Sequence, residues 1–191
     1  MKTYFKFILL MSSMMMLSQT SCGKYGKLFK DYQGYINGKA VDSLCLDNKL
    51  NRLEVTPLTI SIESEKNRSK KYKSDGSIWG VSRGDEFFRF VEKSSFFDYG
   101  KFIKVIYKSD GFVLYSICEM DTYGLNLNIE YFYSLGINNT VKKLKVKNIE
   151  EDFPNPIFLV EAKKLYNLYD QDMNGKYLLA KLYEENYINQ K

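Results

Sequence analysis

The chain of 191 residues contains no histidine. Imidazole is the usual base of serine and cysteine hydrolases and a common nitrogen ligand of zinc. Its absence excludes Ser-His-Asp and Cys-His catalysis, histidine zinc sites and histidine-based pH switches. Chemistry based on lysine, carboxylate or tyrosine is compatible with the sequence, but no motif identifies a catalytic residue, a metal site or a cofactor.

The sequence also lacks any stretch that is apolar for long enough to span a bilayer as a helix. Residues 7–17 form a mostly apolar run of eleven residues, roughly 16 Å as a helix, whereas a membrane span needs about 20. Lys2 and Lys6 precede this run, and small or polar residues follow it. This arrangement predicts a secretory signal peptide over residues 1–21.

Cys22 is the predicted lipid attachment site. The stretch Gln19-Thr20-Ser21-Cys22 resembles a bacterial lipobox, in which the cysteine thiol is acylated and becomes the new N-terminus. Ser21 is the small residue that the box needs, whereas Gln19 departs from the usual aliphatic residue. The predicted partner is then the membrane, through the lipid. The alternative is ordinary cleavage near Cys22, which gives a secreted protein and leaves this cysteine as a free thiol or removes it.

Only three cysteines are present. With Cys22 bound to lipid, Cys45 and Cys118 are an even pair in a compartment that permits disulfides. Sequence alone cannot show that their Cα atoms approach each other, so a Cys45–Cys118 disulfide stays open beside two separate buried thiols. The apolar surroundings of Cys118 favour the buried thiols. The spacing of the cysteines fits no metal motif.

Basic and acidic residues are present in nearly equal numbers. Lys2 and Lys6 fall in the signal peptide, so 26 of the 28 basic residues remain against 23 acidic ones, a net charge of +3. This excess is too small to indicate nucleic acid as a partner, and export argues against it as well.

Residues 35–144 have the pattern of an antiparallel β region. Residues 57–63 alternate between apolar and polar side chains, and residues 125–133 form the longest alternation. Glycine-containing pairs that favour hairpin turns end at positions 76, 84, 100 and 111. Strands joined so closely are mostly antiparallel. The sequence therefore predicts a β-meander, formed as a curved sheet or a partial barrel.

Residues 145–191 are predicted to be helical and to pack on the sheet. A short helix is expected over 146–152 and a last one over 176–187. Between them, Asn155 is a suitable N-cap and Pro156 suits the first helical position. Two or three helices that follow a run of strands indicate the α+β class.

Residues 22–34 contain three glycines and mixed charge, and they are predicted to be a tether between the lipid anchor and a single domain over 35–191. The tether begins with basic residues, and its first acidic residue is Asp31. This basic start favours the periplasmic side of the outer membrane.

Residues 170–175 (DQDMNG) resemble the first half of an EF-hand loop, with oxygen-bearing side chains at positions 1, 3 and 5 and glycine at position 6. The bidentate glutamate that calcium needs at position 12 is replaced by Lys181. We therefore interpret this segment as a polar turn between two helices, with Asp172 or Asn174 capping the second.

Aromatic residues are abundant, with 16 tyrosines and 13 phenylalanines, but there is a single tryptophan. Tyrosine and tryptophan combine an apolar face with a polar tip, and they are enriched at interfaces. Trp79 lies among strand residues, which predicts a core position. Stacking on a sugar is the alternative, and Trp79 is the first candidate for a glycan contact.

The lipobox and three further stretches resemble those of small Bacteroidota-type lipoproteins. These stretches are residues 75–80 (DGSIWG), 131–134 (YFYS) and 153–158 (FPNPIF). The resemblance extends over most of the chain after residue 21. It implies a lipid-anchored envelope protein with a β-rich body and a helical C-terminus, and it carries no activity with it.

Together these features favour a non-enzymatic binding or structural module of the cell envelope, whose partner is an envelope protein or a glycan. Two alternatives stay open. A glycan-binding module would use exposed tyrosine and tryptophan side chains. A carboxylate-based hydrolase would need two acids about 5 to 10 Å apart across a cleft, and no acidic pair in the sequence has a spacing that indicates one.

Overall fold

The computed structural model describes residues 22–65, 69–120 and 127–189. The predicted signal peptide and the first two residues of the 125–133 stretch lie outside these ranges. The strands are β1 Tyr25–Phe29, β2 Asp42–Cys45, β3 Arg52–Val55, β4 Thr59–Glu63, β5 Lys70–Lys73, β6 Gly80–Arg83, β7 Glu86–Val91, β8 Lys101–Lys108, β9 Val113–Met120, β10 Leu127–Ser134 and β11 Lys142–Lys143. The helices are α1 Tyr32–Ile36, α2 Val146–Asp152, α3 Pro156–Lys164 and α4 Leu178–Tyr183, which continues as a π-helical turn over Glu184–Ile188.

Two antiparallel sheets form the β region. The large sheet has eight strands in the order β11-β10-β9-β8-β7-β6-β1-β2, and the small sheet has the order β3-β4-β5. Strands β6 to β11 follow each other in chain order, so the predicted meander is confirmed. Because β2 and β11 lie at opposite edges, the described strands form an open sheet and not a closed barrel. The α+β class is confirmed as well.

The predicted tether over residues 22–34 is wrong. Strand β1 pairs with both β2 and β6 inside the large sheet, and Leu28 and Phe29 are almost completely buried. Helix α1 follows at once, with Asp31 as its N-cap. Glycines and mixed charge are typical of a flexible segment. Two buried apolar side chains are nevertheless enough to hold β1 in the sheet, because both of its edges pair with other strands. The folded domain therefore begins before residue 35.

The small sheet covers the first half of one face of the large sheet. We call this the front face, and it carries Val81, Phe88 and Phe102. Ile60 and Ile62 of β4 point into the space between the sheets and are buried there. The alternation in the sequence of β4 thus gives the small sheet one apolar side, which the large sheet removes from water.

The helices cover the second half of the front face. Phe112, Leu114 and Tyr133 pack against Phe158 and Leu179 of the helices. The start of α3 is as predicted, because the Asn155 side chain accepts hydrogen bonds from the first backbone N–H groups and Pro156 is the first helical residue. No helix of the described residues is long and apolar enough to cross a membrane.

The opposite face of the large sheet, the back face, has a thinner cover. It carries Arg89, Ile103 and Tyr115, with Phe132 beside Tyr115 on the next strand. The turn at residues 94–97 places two phenylalanine rings 5.0 and 5.4 Å from the Phe132 ring. Because short segments and not a full layer cover this face, it has room for a cavity.

Candidate functional site

A cavity of about 400 Å³ lies on the back face of the large sheet. It is lined by the second half of β7 with the turn that follows, by the loop between β10 and β11, and by Trp79 just before β6. Its main polar lining residues are Arg89, Ser94, Asn138, Asn139 and Thr140. We call this site the Arg89 cavity.

Arg89 lies at the centre of this site because of the register of β7. Its Cα is paired with Gly80 on one side and with Ile103 on the other. Apolar neighbours at Phe87 and Val91 share its face of the strand and belong to the core of the back face. The arginine therefore enters the sheet at a core position, where it is only 8% exposed.

A chain of hydrogen bonds connects Arg89 to the loop that closes the cavity. Its Nη1 donates to the Tyr115 hydroxyl at 3.1 Å, and that hydroxyl lies 2.8 Å from Ser134 Oγ. Ser134 Oγ donates to the carbonyl of Gly136 at 2.7 Å. Since the serine proton is used there, the tyrosine must donate to Ser134. Tyr115 and Ser134 are almost fully buried, so the chain holds the guanidinium and the loop in fixed positions.

Two buried polar atoms at the cavity lack a hydrogen-bond partner. They are Arg89 Nε and Ser94 Oγ, two of the three such side-chain atoms found among the described residues. Leaving a buried donor unsatisfied costs roughly 1–3 kcal/mol, and more for a charged group. Native proteins keep few such atoms, and each one calls for an explanation. Both atoms belong to residues that line the same cavity, which makes the cavity the first candidate for a binding site.

Arg89 also has no acidic partner within the described part of the chain. Among the ion pairs of the described residues, none includes its guanidinium. The guanidinium carbon lies 6.0 Å from the centre of the Tyr115 ring, which is a weak cation–π contact. The exposed residues Glu92 and Lys93 also line the cavity and cancel each other in charge. The lining therefore carries one net positive charge, on the buried arginine.

Trp79 forms the aromatic side of the cavity. The residue is partly buried, and its ring lies 5.5 Å from the rings of Tyr32 and Tyr35 and 5.8 Å from Phe87. It thus packs as a partly buried member of the core of the back face and also lines the cavity. A contact between Trp79 and a glycan stays a prediction.

The walls of the cavity are set by two local turns. Ser94 and Phe97 exchange backbone hydrogen bonds of 3.1 and 3.2 Å, which fixes the turn after β7. Gly136 has φ +106°, a conformation that a residue with a side chain rarely adopts. Its carbonyl accepts from the Asn139 N–H at 3.2 Å, so the loop bends back and presents Asn138 and Thr140 to the cavity.

The sequence alone did not identify Arg89, Ser94 or the residues of the 138–140 loop as site residues. One signal was present: residues 86–91 (EFFRFV) place an arginine inside an apolar run of a strand. A charged residue at such a position is rarely buried without a partner. That signal indicates an unusual arginine but not which groups surround it.

A second groove, of about 440 Å³, is lined by four lysines of residues 142–147. Two of them are already paired: Lys142 contacts Asp152, and Lys143 contacts Glu130, each at 2.5 Å. Its lysines are part-exposed or exposed, so its charge is largely hydrated. This groove is a weaker candidate than the Arg89 cavity.

The Cys45–Cys118 disulfide, which the sequence left open, does not form. Cys45 is bonded to Cys22, with a Cα–Cα distance of 5.8 Å, and Cys118 is a free, exposed cysteine on β9. The alternative of two buried thiols is wrong for the same reason. Pairing of β1 with β2 brings Tyr25 opposite Cys45, and this places Cys22 next to Cys45 across 23 positions of sequence.

The carboxylate of Asp47 lies beside this disulfide, so the three residues form a cluster with metal-ligand atoms. Its Oδ2 accepts from the backbone N–H groups of Gly23 at 2.5 Å and Lys24 at 3.1 Å. A sulfur in a disulfide is not the thiolate that a metal requires. In the oxidised form the cluster is therefore a structural clasp for the N-terminal end of the fold.

The segment that resembles an EF-hand loop is a polar turn, as predicted, but the predicted cap at Asp172 or Asn174 is wrong, because the N-cap of α4 is Tyr177. Asp172 Oδ1 accepts from the backbone N–H groups of Asn174 at 2.9 Å and Lys176 at 3.0 Å, and Gly175 has φ +76°. These backbone hydrogen bonds lower the pKa of the Asp172 carboxyl. Its oxygen stabilises the turn before α4, where Tyr177 is the N-cap and receives no side-chain hydrogen bond.

The acidic residues offer little support for a hydrolase. A hydrogen bond from Lys104, and then one from Arg83, lowers the pKa of Glu86. Among the described residues, every carboxyl with a clearly shifted pKa is shifted downward, whereas a general acid at neutral pH needs a raised one. The Arg89 cavity contains one carboxylate, that of Glu92.

Comparison of the chain with protein-family models, curated proteins and solved structures yields no match. The function is therefore inferred from the site.

Proposed function

We propose that this protein is a non-enzymatic binding module of the cell envelope that binds a glycan in the Arg89 cavity. The observation that carries this proposal is the composition of the cavity, in which Trp79 lies with the hydroxyl and amide side chains of Ser94, Asn138 and Thr140. Binding pockets typically combine apolar or aromatic surface with a few polar groups that fix orientation. Sugars present both an apolar ring face and hydroxyl groups, and this lining suits both.

Binding without catalysis fits the same site. The chain has no histidine to activate the Ser94 hydroxyl, and the one carboxylate at the cavity cannot form the pair that glycoside hydrolysis requires. The other polar groups of the lining are the amides of Asn138 and Asn139, the hydroxyls of Ser94 and Thr140, and the basic side chains of Arg89 and Lys93. Such groups can bind and orient a ligand through hydrogen bonds.

The envelope location is part of the proposal. It is supported by the predicted signal peptide and by the lipobox at Cys22. The Cys22–Cys45 disulfide is typical of a protein that has left the reducing cytosol, so it supports export but not the lipid anchor.

Lipid and disulfide cannot occupy the Cys22 sulfur at the same time. A lipid-anchored protein would carry Cys45 as a free thiol, whereas a protein with the Cys22–Cys45 bond would be secreted without this anchor. The disulfide favours the secreted form as the second candidate. The mass of the N-terminal peptide distinguishes the two forms. We expect an acylated Cys22. An unmodified Cys22 that is bonded to Cys45 would contradict the lipid anchor and support the secreted form.

Glycan binding is tested on a glycan array with the purified chain. We expect signals that fall when Trp79 is replaced by Phe or Asn138 by Ala. The matched control is Tyr166→Ala, since Tyr166 is a 94% exposed aromatic residue that does not line the cavity. An array that stays silent, or signals lost only with Tyr166→Ala, would contradict a glycan site in this cavity.

A further inference from the structure

We propose that the ligand of the Arg89 cavity is an acidic sugar, whose carboxylate binds the Arg89 guanidinium. This inference rests on the proposed glycan-binding function and adds the chemical class of the glycan. It depends on one buried cation that forms no ion pair with the residues the structure describes.

The guanidinium is held in place but not satisfied. It presents N–H donors from three nitrogens. The hydrogen bond from Nη1 to Tyr115 fixes one end of the group at 3.1 Å, while Nε has no partner among the described residues. A planar carboxylate matches the fork of an arginine and accepts two parallel hydrogen bonds. The fixed orientation of Arg89 lowers the entropy that such binding would cost.

The buried position of Arg89 strengthens the attraction between its single charge and an anionic ligand. The residue is 8% exposed, and its neighbours on the back face are apolar, so water screens the charge weakly. Ser94 Oγ is the second buried atom without a partner at the same cavity. Its hydroxyl can donate to the carboxylate or accept from a sugar hydroxyl. Arg89 and Ser94 thus bring a cation and a hydroxyl to the lining of one cavity.

The charge of the lining distinguishes a carboxylate from a phosphate. The cavity carries one net positive charge, because Glu92 and Lys93 cancel. A carboxylate brings one negative charge, whereas a phosphate monoester brings close to two at neutral pH. Phosphate sites also favour the backbone N–H groups of a helix N-terminus, and the lining segments of this cavity come from a strand, a turn and a loop.

The chain contains its own reporter for this site. Trp79 is the only tryptophan of the sequence, and it lines the cavity. Fluorescence excited at the red edge of the absorption band, where tyrosine absorbs little, therefore reports on the cavity alone. The probes are glucuronate, galacturonate and N-acetylneuraminate, with glucose and galactose as neutral counterparts and galactose 1-phosphate as the phosphate counterpart.

We expect at least one acidic sugar to change the fluorescence at a concentration roughly 10- to 100-fold lower than its neutral counterpart, the range that a hydrogen-bonded charge provides. Galactose 1-phosphate should bind no better than galacturonate. Arg89→Gln should remove the preference for the acid, and Arg89→Lys should retain only part of it. Arg83→Gln is the control, since Arg83 already pairs with Glu86.

The outcomes separate the two proposals. Equal binding of acidic and neutral sugars would overturn the carboxylate inference and leave the glycan site in place. Tighter binding of the phosphate ester would overturn it in favour of a phosphate ligand. No response to any probe would overturn the glycan site in this cavity as well. The comparison of ligands uses the unaltered protein, so it holds even if an Arg89 variant does not fold.

Discussion

Replacing Arg89 by methionine should stabilise the free protein. Methionine has a similar length and no charge, so the change removes the buried cation together with its unsatisfied Nε. It also removes the hydrogen bond from Nη1 to Tyr115. The tyrosine hydroxyl keeps its contact with Ser134 at 2.8 Å, so the substitution leaves no new buried donor without a partner.

The expected gain follows from opposing contributions. The lost hydrogen bond is worth about 1.5–3 kcal/mol, because its donor is charged. Against this stands the penalty for a buried, unpaired charge, which is several kcal/mol per ion in real proteins. We expect the balance to favour the variant by about 1–2 kcal/mol, which for a chain of this size raises Tm by roughly 2 to 8 °C.

Urea unfolding followed by far-UV circular dichroism measures this difference without depending on Trp79, which lies at the site. Arg83→Met is the matched control, because its guanidinium is bonded to Glu86 and is partly exposed. We expect a loss of about 0–1 kcal/mol there.

A variant at Arg89 that loses more than about 1 kcal/mol would refute the reasoning. The arginine would then be a structural residue whose charge the fold already satisfies, and the case for a ligand would fall. A stabilised variant that no longer binds the probes would show that Arg89 lowers the stability of the free protein and is needed for ligand binding.

Three further predictions concern the rest of the fold. In the chain that carries the disulfide, Cys45→Ser should lower the free energy of unfolding by about 3 kcal/mol, since the bond closes a loop of 23 positions. Cys118→Ser should have little effect, and equal losses from both would contradict the pairing. Burial, and then contact with the Glu184 carboxylate, raises the pKa of Tyr107 to about 12, while burial and the Asp152 contact raise that of Tyr133. A raised pKa means that the folded state favours the neutral tyrosine more than the unfolded state does. For Tyr107 the resulting contribution to the free energy of unfolding is complete below pH 10 and is lost as the pH rises through about 12. Urea midpoints measured across this window should fall less steeply for Tyr107→Phe than for the unaltered chain, and parallel curves would contradict the assignment. Asn155→Ala should destabilise by about 1 kcal/mol in the same assay, because it removes the N-cap of α3, whereas an unchanged midpoint would contradict this role.

The sequence by itself determined those features that depend on neighbouring residues. The start of α3 follows from Asn155 and Pro156, whose side chains act within one helical turn. The turn around Asp172 follows from an oxygen that reaches backbone groups two and four positions ahead. The meander from β6 onward follows from alternation and short turns, because each strand pairs with the next. In each case the interacting groups lie close in sequence, so their types and spacing are sufficient.

Only the tertiary structure decided the features that join distant parts of the chain. Strand β1 is a strand because β6, more than fifty positions later, pairs with it. The partner of Cys45 depends on that same placement of β1. The Arg89 cavity needs a core position in β7, a hydroxyl from β9 and a loop after β10 to meet on one face. Sequence shows which groups are present, but their proximity results from strand register, which only the folded sheet sets.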